Sequence, residues 1–341
     1  MRLLSKYRAQ RSGPRWFTAV SERVPRCAVP GSLCLLACLA WAQSSPPLAK
    51  PSSPDEDPIF SVGTRLVVLP ISVSDKGGKL ITDLQQKAFK VYENGAEQPI
   101  KLFKREDVPV SLGIIIDNSG SMREKRQKVE TASLDLVKAS NPQDEVFIVN
   151  FNDDAYLDVE FTNDIKKMEE GVARIDSRGG TAMRDAINKS IDYLKDKGKR
   201  QKKVLLVITD GNDNASRVSL EKLVSRAQQS EVLIYAIGLL NEEERREAKI
   251  AKRALDSLSR ESGGLSFYPK SPAEVDELTL QVAHELRNQY TIAYSPTVQE
   301  MDGSFRQIKV TVNGPGRPIV RTRTGYYATP DSAKKTVSQV R

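Results

Sequence analysis

Val110-Ser111-Leu112-Gly113-Ile114-Ile115-Ile116-Asp117-Asn118-Ser119-Gly120-Ser121 is the stretch on which the fold turns. Its first seven residues are apolar or small without alternation, the pattern of a strand buried on both faces. A carboxylate and two hydroxyls then follow at alternate positions. The next segment, 123–139, places Val129, Ala132, Leu136 and Val137 at helical spacing. Oxygen-bearing side chains therefore sit where a buried strand hands over to a helix. Oxygen donors alone, with no sulfur or imidazole, suit a hard divalent cation such as Mg²⁺.

Outward from this point the rhythm repeats. Strands are expected at 110–117, 145–151, 156–161, 204–209 and 232–239, with a shorter one at 265–268. Helices are expected at 123–139, 164–174, 183–196, 219–229, 242–260 and 272–288. Alternating strands and helices predict an α/β fold, a doubly wound, mostly parallel, Rossmann-like sheet with helices on both faces. In such a sheet, ligands sit beyond the carboxyl ends of the strands, where strand order reverses. Strands 110–117 and 204–209 are the first and fourth along the chain, and they flank that point. Asp117 ends the first, Thr209-Asp210-Gly211 ends the fourth, and Gly179-Gly180-Thr181 opens a helix between them.

The flanks read differently. Leu66–Ser74, the turn Asp75-Lys76-Gly77-Gly78, Phe89–Tyr92, the turn Glu93-Asn94-Gly95 and Pro99–Phe103 describe a small all-β module. Strand patterns return at Tyr290–Tyr294, Arg306–Val312 and Arg317–Tyr327. They are too few to fold alone, so they are expected to pair with the first module around the inserted α/β domain. The resulting division is 1–42 leader, 43–58 Pro/Ser-rich linker, 59–108 β module, 109–289 α/β domain, 290–328 β segment and 329–341 polar tail.

The chain of 341 residues has a formal charge of +8. Residues 1–26 hold seven basic side chains against one acid, Glu22, and the remainder is near balance, with 45 Lys+Arg against 43 Asp+Glu. That removes the electrostatic case for nucleic acid. The run 195–203 is basic but carries no aromatic residue and reads as a solvated loop. A basic leader, the apolar run 33–42 and the exit Ala40-Trp41-Ala42 describe a secretory signal peptide cleaved before Gln43. The run is shorter than the roughly 20 apolar residues of a spanning helix, so no transmembrane span is expected after processing. The protein is expected in the periplasm, in the cell envelope or secreted. A second reading takes Leu35-Leu36-Ala37-Cys38 as a lipoprotein box anchored at Cys38. Cys27, Cys34 and Cys38 all precede position 43. The processed chain thus has no cysteine and one histidine, His284, which lies off the apolar stripe of its helix. A cysteine nucleophile, disulfides and zinc thiolates are excluded, and hydrolase chemistry has little material.

At this point a resemblance becomes specific. Segment 110–290 resembles a von Willebrand factor type A domain, whose metal-ion-dependent adhesion site is D-x-S-x-S followed by a Thr and an Asp. Asp117, Ser119, Ser121, Thr181 and Asp210 match all five in order. The resemblance implies that Ser119, Ser121 and Thr181 touch the metal through hydroxyls and that Asp117 and Asp210 hold it mostly through waters. It implies Mg²⁺, with Mn²⁺ or Ca²⁺ as alternatives, and a protein partner whose Asp or Glu completes the coordination. The whole layout is similar to exported bacterial type A proteins of the acidobacterial kind. On this reading the protein binds a partner, as in cell adhesion, and is not an enzyme. An envelope scaffold with a structural metal and a metal-dependent hydrolase are the alternatives.

Each residue also has a local role open to it. Ser121-Met122-Arg123-Glu124 reads as a capping box, Thr181 as a helix cap, and Asp210-Gly211 as a turn. Met122-Arg123-Glu124-Lys125 brings no extra acids suited to a second adjacent metal. Asp210, Asn212, Asn214 and Glu221 fall at calcium-loop positions, but Ala215 stands where glycine is required. Asn152-Asp153-Asp154 reads as a hairpin turn.

Overall fold

The computed structural model of the chain describes residues 66–105, 107–172, 178–211, 213–240, 245–314 and 316–329. The leader, the linker, nearly all of the tail and Asn212 lie outside the described residues. Among the described residues, no helix is long and apolar enough to cross a membrane.

All eight residues of β5 (Val110–Asp117) are buried, as a strand covered on both faces requires. It lies in a six-stranded sheet with β6 (Glu145–Phe151), β7 (Ala155–Thr162), β8 (Lys202–Thr209), β9 (Leu233–Gly238) and β10 (Ser266–Phe267), in the order β10-β9-β8-β5-β6-β7. Every pairing is parallel except that of the edge strand β7 with β6. The link 152–154 is a tight turn closed by a bond from the Asn152 N–H to the Asp154 carbonyl, 2.9 Å. A link this short permits only an antiparallel neighbour.

The period-two alternation of β5 splits its side chains between two cores. Leu112, Ile114 and Ile116 pack with α1 (Arg126–Ala139) and α6 (Val275–Arg287) through Val129, Leu136, Val282 and Leu286. Ile115 packs on the other face with α3 (Met183–Lys197), α4 (Leu220–Ser230) and α5 (Arg245–Ser262), through Ile187, Leu223 and Leu255. The short α2 (Ile165–Val172) adds Met168 to the first core. Helix α1 begins three residues later than expected, after a separate 3₁₀ turn at Gly120–Met122. The basic run was expected to be a solvated loop, and Lys202 and Lys203 correct that reading. Both belong to β8, and their ammonium groups donate to the carbonyls of Leu286 (2.6 Å) and Gly198 (2.9 Å). Lysine stems extend along apolar surface while the charged head finds oxygen.

The flanking strands form two four-stranded sheets. One has the order β13-β1-β11-β4, from β13 (Ile319–Arg321), β1 (Val67–Ser74), β11 (Tyr290–Tyr294) and β4 (Ile100–Lys104). The other has the order β14-β12-β2-β3, from β14 (Gly325–Tyr327), β12 (Phe305–Val312), β2 (Phe89–Glu93) and β3 (Ala96–Gln98). They share a core of Leu69, Ile71, Phe89, Val91, Tyr290, Ile292 and Ile308. The chain leaves this sandwich through β4 and re-enters through β11, and those two strands pair, Thr291 opposite Lys104. The turn Glu93-Asn94-Gly95 does not lead into 99–103 as a single hairpin. It leads into β3, and Pro99 interrupts the ladder because it has no N–H to donate. Strand β4 then crosses to the other sheet.

On β7, Asp158 accepts two bonds from Asn150, from its backbone N–H (3.2 Å) and its side-chain amide (2.6 Å). Burial pushes its carboxyl up to about 6, against the lowering effect of Asn150 and the nearby Arg126 charge. The folded state therefore holds this proton between about pH 4 and pH 6 while the unfolded state has lost it, so stability falls as pH rises through that window. Asp158→Asn is expected to abolish that contribution and to gain on the order of 1–2 kcal/mol at neutral pH. Urea midpoints measured against pH check this: the two curves meet near pH 4 and separate above it. Parallel curves would refute the assignment.

Candidate functional site

The carboxyl ends of β5 and β8 are adjacent, since Ile116 pairs with Ile208. Strand order reverses there, because β6 continues on one side of β5 and β8 on the other. The backbone turns off β5 because the Asp117 carboxylate accepts the Ser119 N–H at 2.8 Å, the reach of an Asx turn. Its second oxygen accepts the Thr209 hydroxyl at 2.5 Å. Asp117 is 1% exposed. Burial pushes its pKa up to about 6, outweighing the bonds from Thr209 and Ser119, and the Asp210 charge adds to the rise.

From Asp117 the polar atoms run outward in a chain. The Ser119 and Ser121 hydroxyls are 3.1 Å apart. Ser121 Oγ donates to Asp210 Oδ1 at 2.8 Å. The other Asp210 oxygen takes the Lys125 ammonium at 2.6 Å. Ser119 and Asp210 are buried, whereas Ser121 stands at the exposed lip. Thr181 comes from the third loop and lies against the end of β8: a Cβ at Gly211 would sit 3.9 Å from its hydroxyl. Its backbone is fixed by the Asn214 side chain, which accepts the Thr181 N–H at 2.9 Å. The five residues named from the sequence thus lie at the end of β5 and on the segments that follow β5, precede α3 and follow β8, which meet at one crevice.

The capping roles open to Ser121 and Thr181 are not what is observed. Ser121 caps no helix: its hydroxyl goes to Asp210, 89 positions away. Thr181 precedes the first cap position of α3, which Ala182 occupies without a side-chain cap bond. Asn214, a calcium-loop position by spacing, serves the Thr181 backbone, and Glu221 is exposed in the first turn of α4. His284 is exposed.

Further residues brace the loops. The Asn118 N–H donates to Phe151 O, the Arg178 N–H to Asn118 O, and the Gly120 N–H to Gly179 O. Asp153, read as a plain turn residue, accepts the Gly180 N–H at 2.8 Å. A Cβ on Gly179, at φ +80°, would lie 2.2 Å from the Asp153 carboxylate, so only glycine fits. Thr209, Lys125 and Asp153 were not singled out as site residues. Thr209 was visible as a hydroxyl at a strand end; the other two depend on contacts distant in sequence.

The donor set is therefore oxygen throughout, two buried carboxylates and three hydroxyls, and one ammonium already sits on it. Such a set fits a hard cation. Among the described residues, no group of three or more His, Cys, Asp or Glu side chains gathers for a metal, and the crevice itself brings two carboxylates with hydroxyls.

Comparison with known proteins bears on the same region. The family model for the von Willebrand factor type A domain matches residues 112–212. Integrin alpha-11 of Mus musculus is 33% identical over 110 residues, covering 30% of this chain and 9% of that protein. The human integrin alpha-11 is 31% identical over the same length. The match thus spans about a tenth of those relatives. Among solved structures, BatB from Bacteroides thetaiotaomicron aligns with 52% of this chain and 98% of its own, at 17% identity and a TM-score of 0.43. The proximal thread matrix protein 1 of the mussel byssus, described with zinc in its MIDAS motif, aligns with 57% of this chain and 49% of its own, at 15% identity and a TM-score of 0.43. Residues 112–212, with Asp117-Asn118-Ser119-Gly120-Ser121 at the carboxyl end of β5, are thus the part of the chain that matches the von Willebrand factor type A domain.

Proposed function

We propose that this protein binds a protein partner through a divalent cation, Mg²⁺ by preference, held at the crevice between β5 and β8. The observation that carries this reading is the polar chain Asp117–Ser119–Ser121–Asp210, with Thr181 beside it, at the point where strand order reverses. Ser119, Ser121 and Thr181 would hold the ion through hydroxyls, and Asp117 and Asp210 through waters. Type A domains are interaction modules. A cation held largely by neutral hydroxyls keeps much of its charge and attracts a carboxylate from outside. Here Ser121 is the donor nearest solvent, so the partner's Asp or Glu would approach from that lip.

On the same proposal, residues 109–289 are the domain that carries the site, and the flanking segments 59–108 and 290–328 are the module that supplies the sandwich strands β1–β4 and β11–β14. The leader 1–42 would direct the protein out of the cytoplasm, to the envelope or beyond.

Ser119→Ala tests the cation directly. The variant removes one hydroxyl and leaves the backbone bond to Asp117 in place. Mg²⁺ affinity measured by calorimetry is expected to fall by at least about tenfold, with the circular dichroism spectrum unchanged. Equal affinity in variant and wild type would overturn the site.

A further inference from the structure

Lys125 occupies an unfavourable position by local rules. It is the residue before the first turn of α1, at φ −91° and ψ −18°, and makes no side-chain cap bond. The amino end of a helix carries partial positive charge and favours Asp, Ser or Thr there, not a cation. Its backbone is fully used: the N–H donates to Met122 O and the carbonyl accepts from the Val129 N–H. The side chain does not run out to water. It turns back, its side chain 26% exposed, so that the ammonium meets an Asp210 side chain that is 2% exposed, at 2.6 Å. Nearby cations go elsewhere, Arg126 to Glu130 and Lys128 to Asp276. With Ser121 on Oδ1 and Lys125 on Oδ2, both oxygens of Asp210 are engaged within the chain.

We infer that Lys125 is a tethered cation that competes with the metal for Asp210, and so sets both the affinity of the site and its preference for divalent ions. This rests on the cation reading above. A tethered ammonium acts at a high effective concentration, so an ion must displace it to gain Asp210. A monovalent ion offers no more charge than the ammonium it replaces, whereas a divalent ion does. Binding of Mg²⁺ then moves the Lys125 amine away from Asp210 toward solvent at the mouth of the site.

Two measurements on the full chain test this. In calorimetry, Lys125→Met is expected to bind Mg²⁺ about tenfold more tightly than wild type, the scale of one charge-assisted contact, while Lys125→Arg stays near wild type. In wild type, reductive methylation of Lys125 followed by mass spectrometry is expected to speed up when saturating Mg²⁺ is added. The second readout needs no substitution and stands if the methionine variant fails to fold. Equal Mg²⁺ affinity in wild type and Lys125→Met, or labelling of Lys125 that Mg²⁺ leaves unchanged, would overturn the competition and leave the cation site standing. No Mg²⁺ heat in wild type or in either variant would overturn the cation reading, and the competition with it.

Discussion

Glu285→Ala is expected to lower stability by about 3–5 kcal/mol, the range for removing one partner of a buried charge pair. Glu285 lies on α6 and is 2% exposed. One carboxylate oxygen accepts the hydroxyls of Ser72 on β1 and Tyr235 on β9, each at 2.8 Å. The other takes the Arg321 guanidinium of β13 at 2.7 Å. Gln289, just past α6, donates to both hydroxyls. One side chain therefore ties the six-stranded sheet to the sandwich. Alanine would leave a guanidinium and two buried hydroxyls without their acceptor, and each such group carries its own desolvation cost. A loss of this size corresponds to a Tm lower by roughly 10 °C for a chain of this length. The variant is also expected to unfold in two steps by urea, where wild type unfolds in one, because the joint between sandwich and sheet is what the substitution breaks. Glu285→Gln, which keeps the shape without the charge, should fall between. A loss below about 1 kcal/mol would show that the joint rests on apolar packing instead.

That joint could not be read from the sequence. The five polar residues span positions 72 to 321, and none lies in a recognisable motif. The strands and helices themselves were legible because their apolar periods are strong. Residues 110–117 show no alternation and are buried throughout, and 275–286 carry a helical stripe that packs on the sheet. The fold class followed from that rhythm. Boundaries failed where a distant partner captured a local signal. Ser121-Met122-Arg123-Glu124 has the form of a helix start, but the Ser121 hydroxyl is taken by Asp210, and α1 begins only at Arg126. Lys202 and Lys203 looked solvated because charge alone does not show where a lysine stem lies. Burial pushes the Lys202 ammonium down to about 8, which no composition count would reveal.

The site was legible to a different degree. Asp117, Ser119 and Ser121 are contiguous and follow a strand, so their grouping needs only local geometry. Thr181 and Asp210 needed the topology as well, since their loops meet the first only if the first and fourth strands of the sheet are neighbours. The structure has that adjacency. Lys125 escaped because its place at a helix start makes sense only once Asp210, 85 positions away, is beside it.

The strand that carries Asp117 also contains Gly113, and replacing it with alanine is expected to cost about 2–3 kcal/mol. Glycine within a strand is ordinarily a weakness, and alanine would relieve it. Here the neighbours forbid the exchange. Gly113 pairs with Phe147 on one side and Leu205 on the other. An added Cβ would lie 2.3 Å from the Phe147 ring and 2.6 Å from a Leu205 methyl. The ring has little room to retreat, because Phe161 and Tyr193 each meet it edge-on at 4.9 Å. The remaining response is for β5 to shift against its neighbours, and Asp117 is four residues further along the same strand. Gly113→Ala is therefore expected to weaken Mg²⁺ binding several-fold as well as to destabilise the fold, though it touches no residue of the crevice. Urea denaturation with and without saturating Mg²⁺ separates the two effects: the added stability from Mg²⁺ should be smaller in the variant than in wild type. A variant as stable as wild type would mean that the aromatic cluster yields, and that the backbone at Asp117 is insulated from packing two repeats of the pleat away.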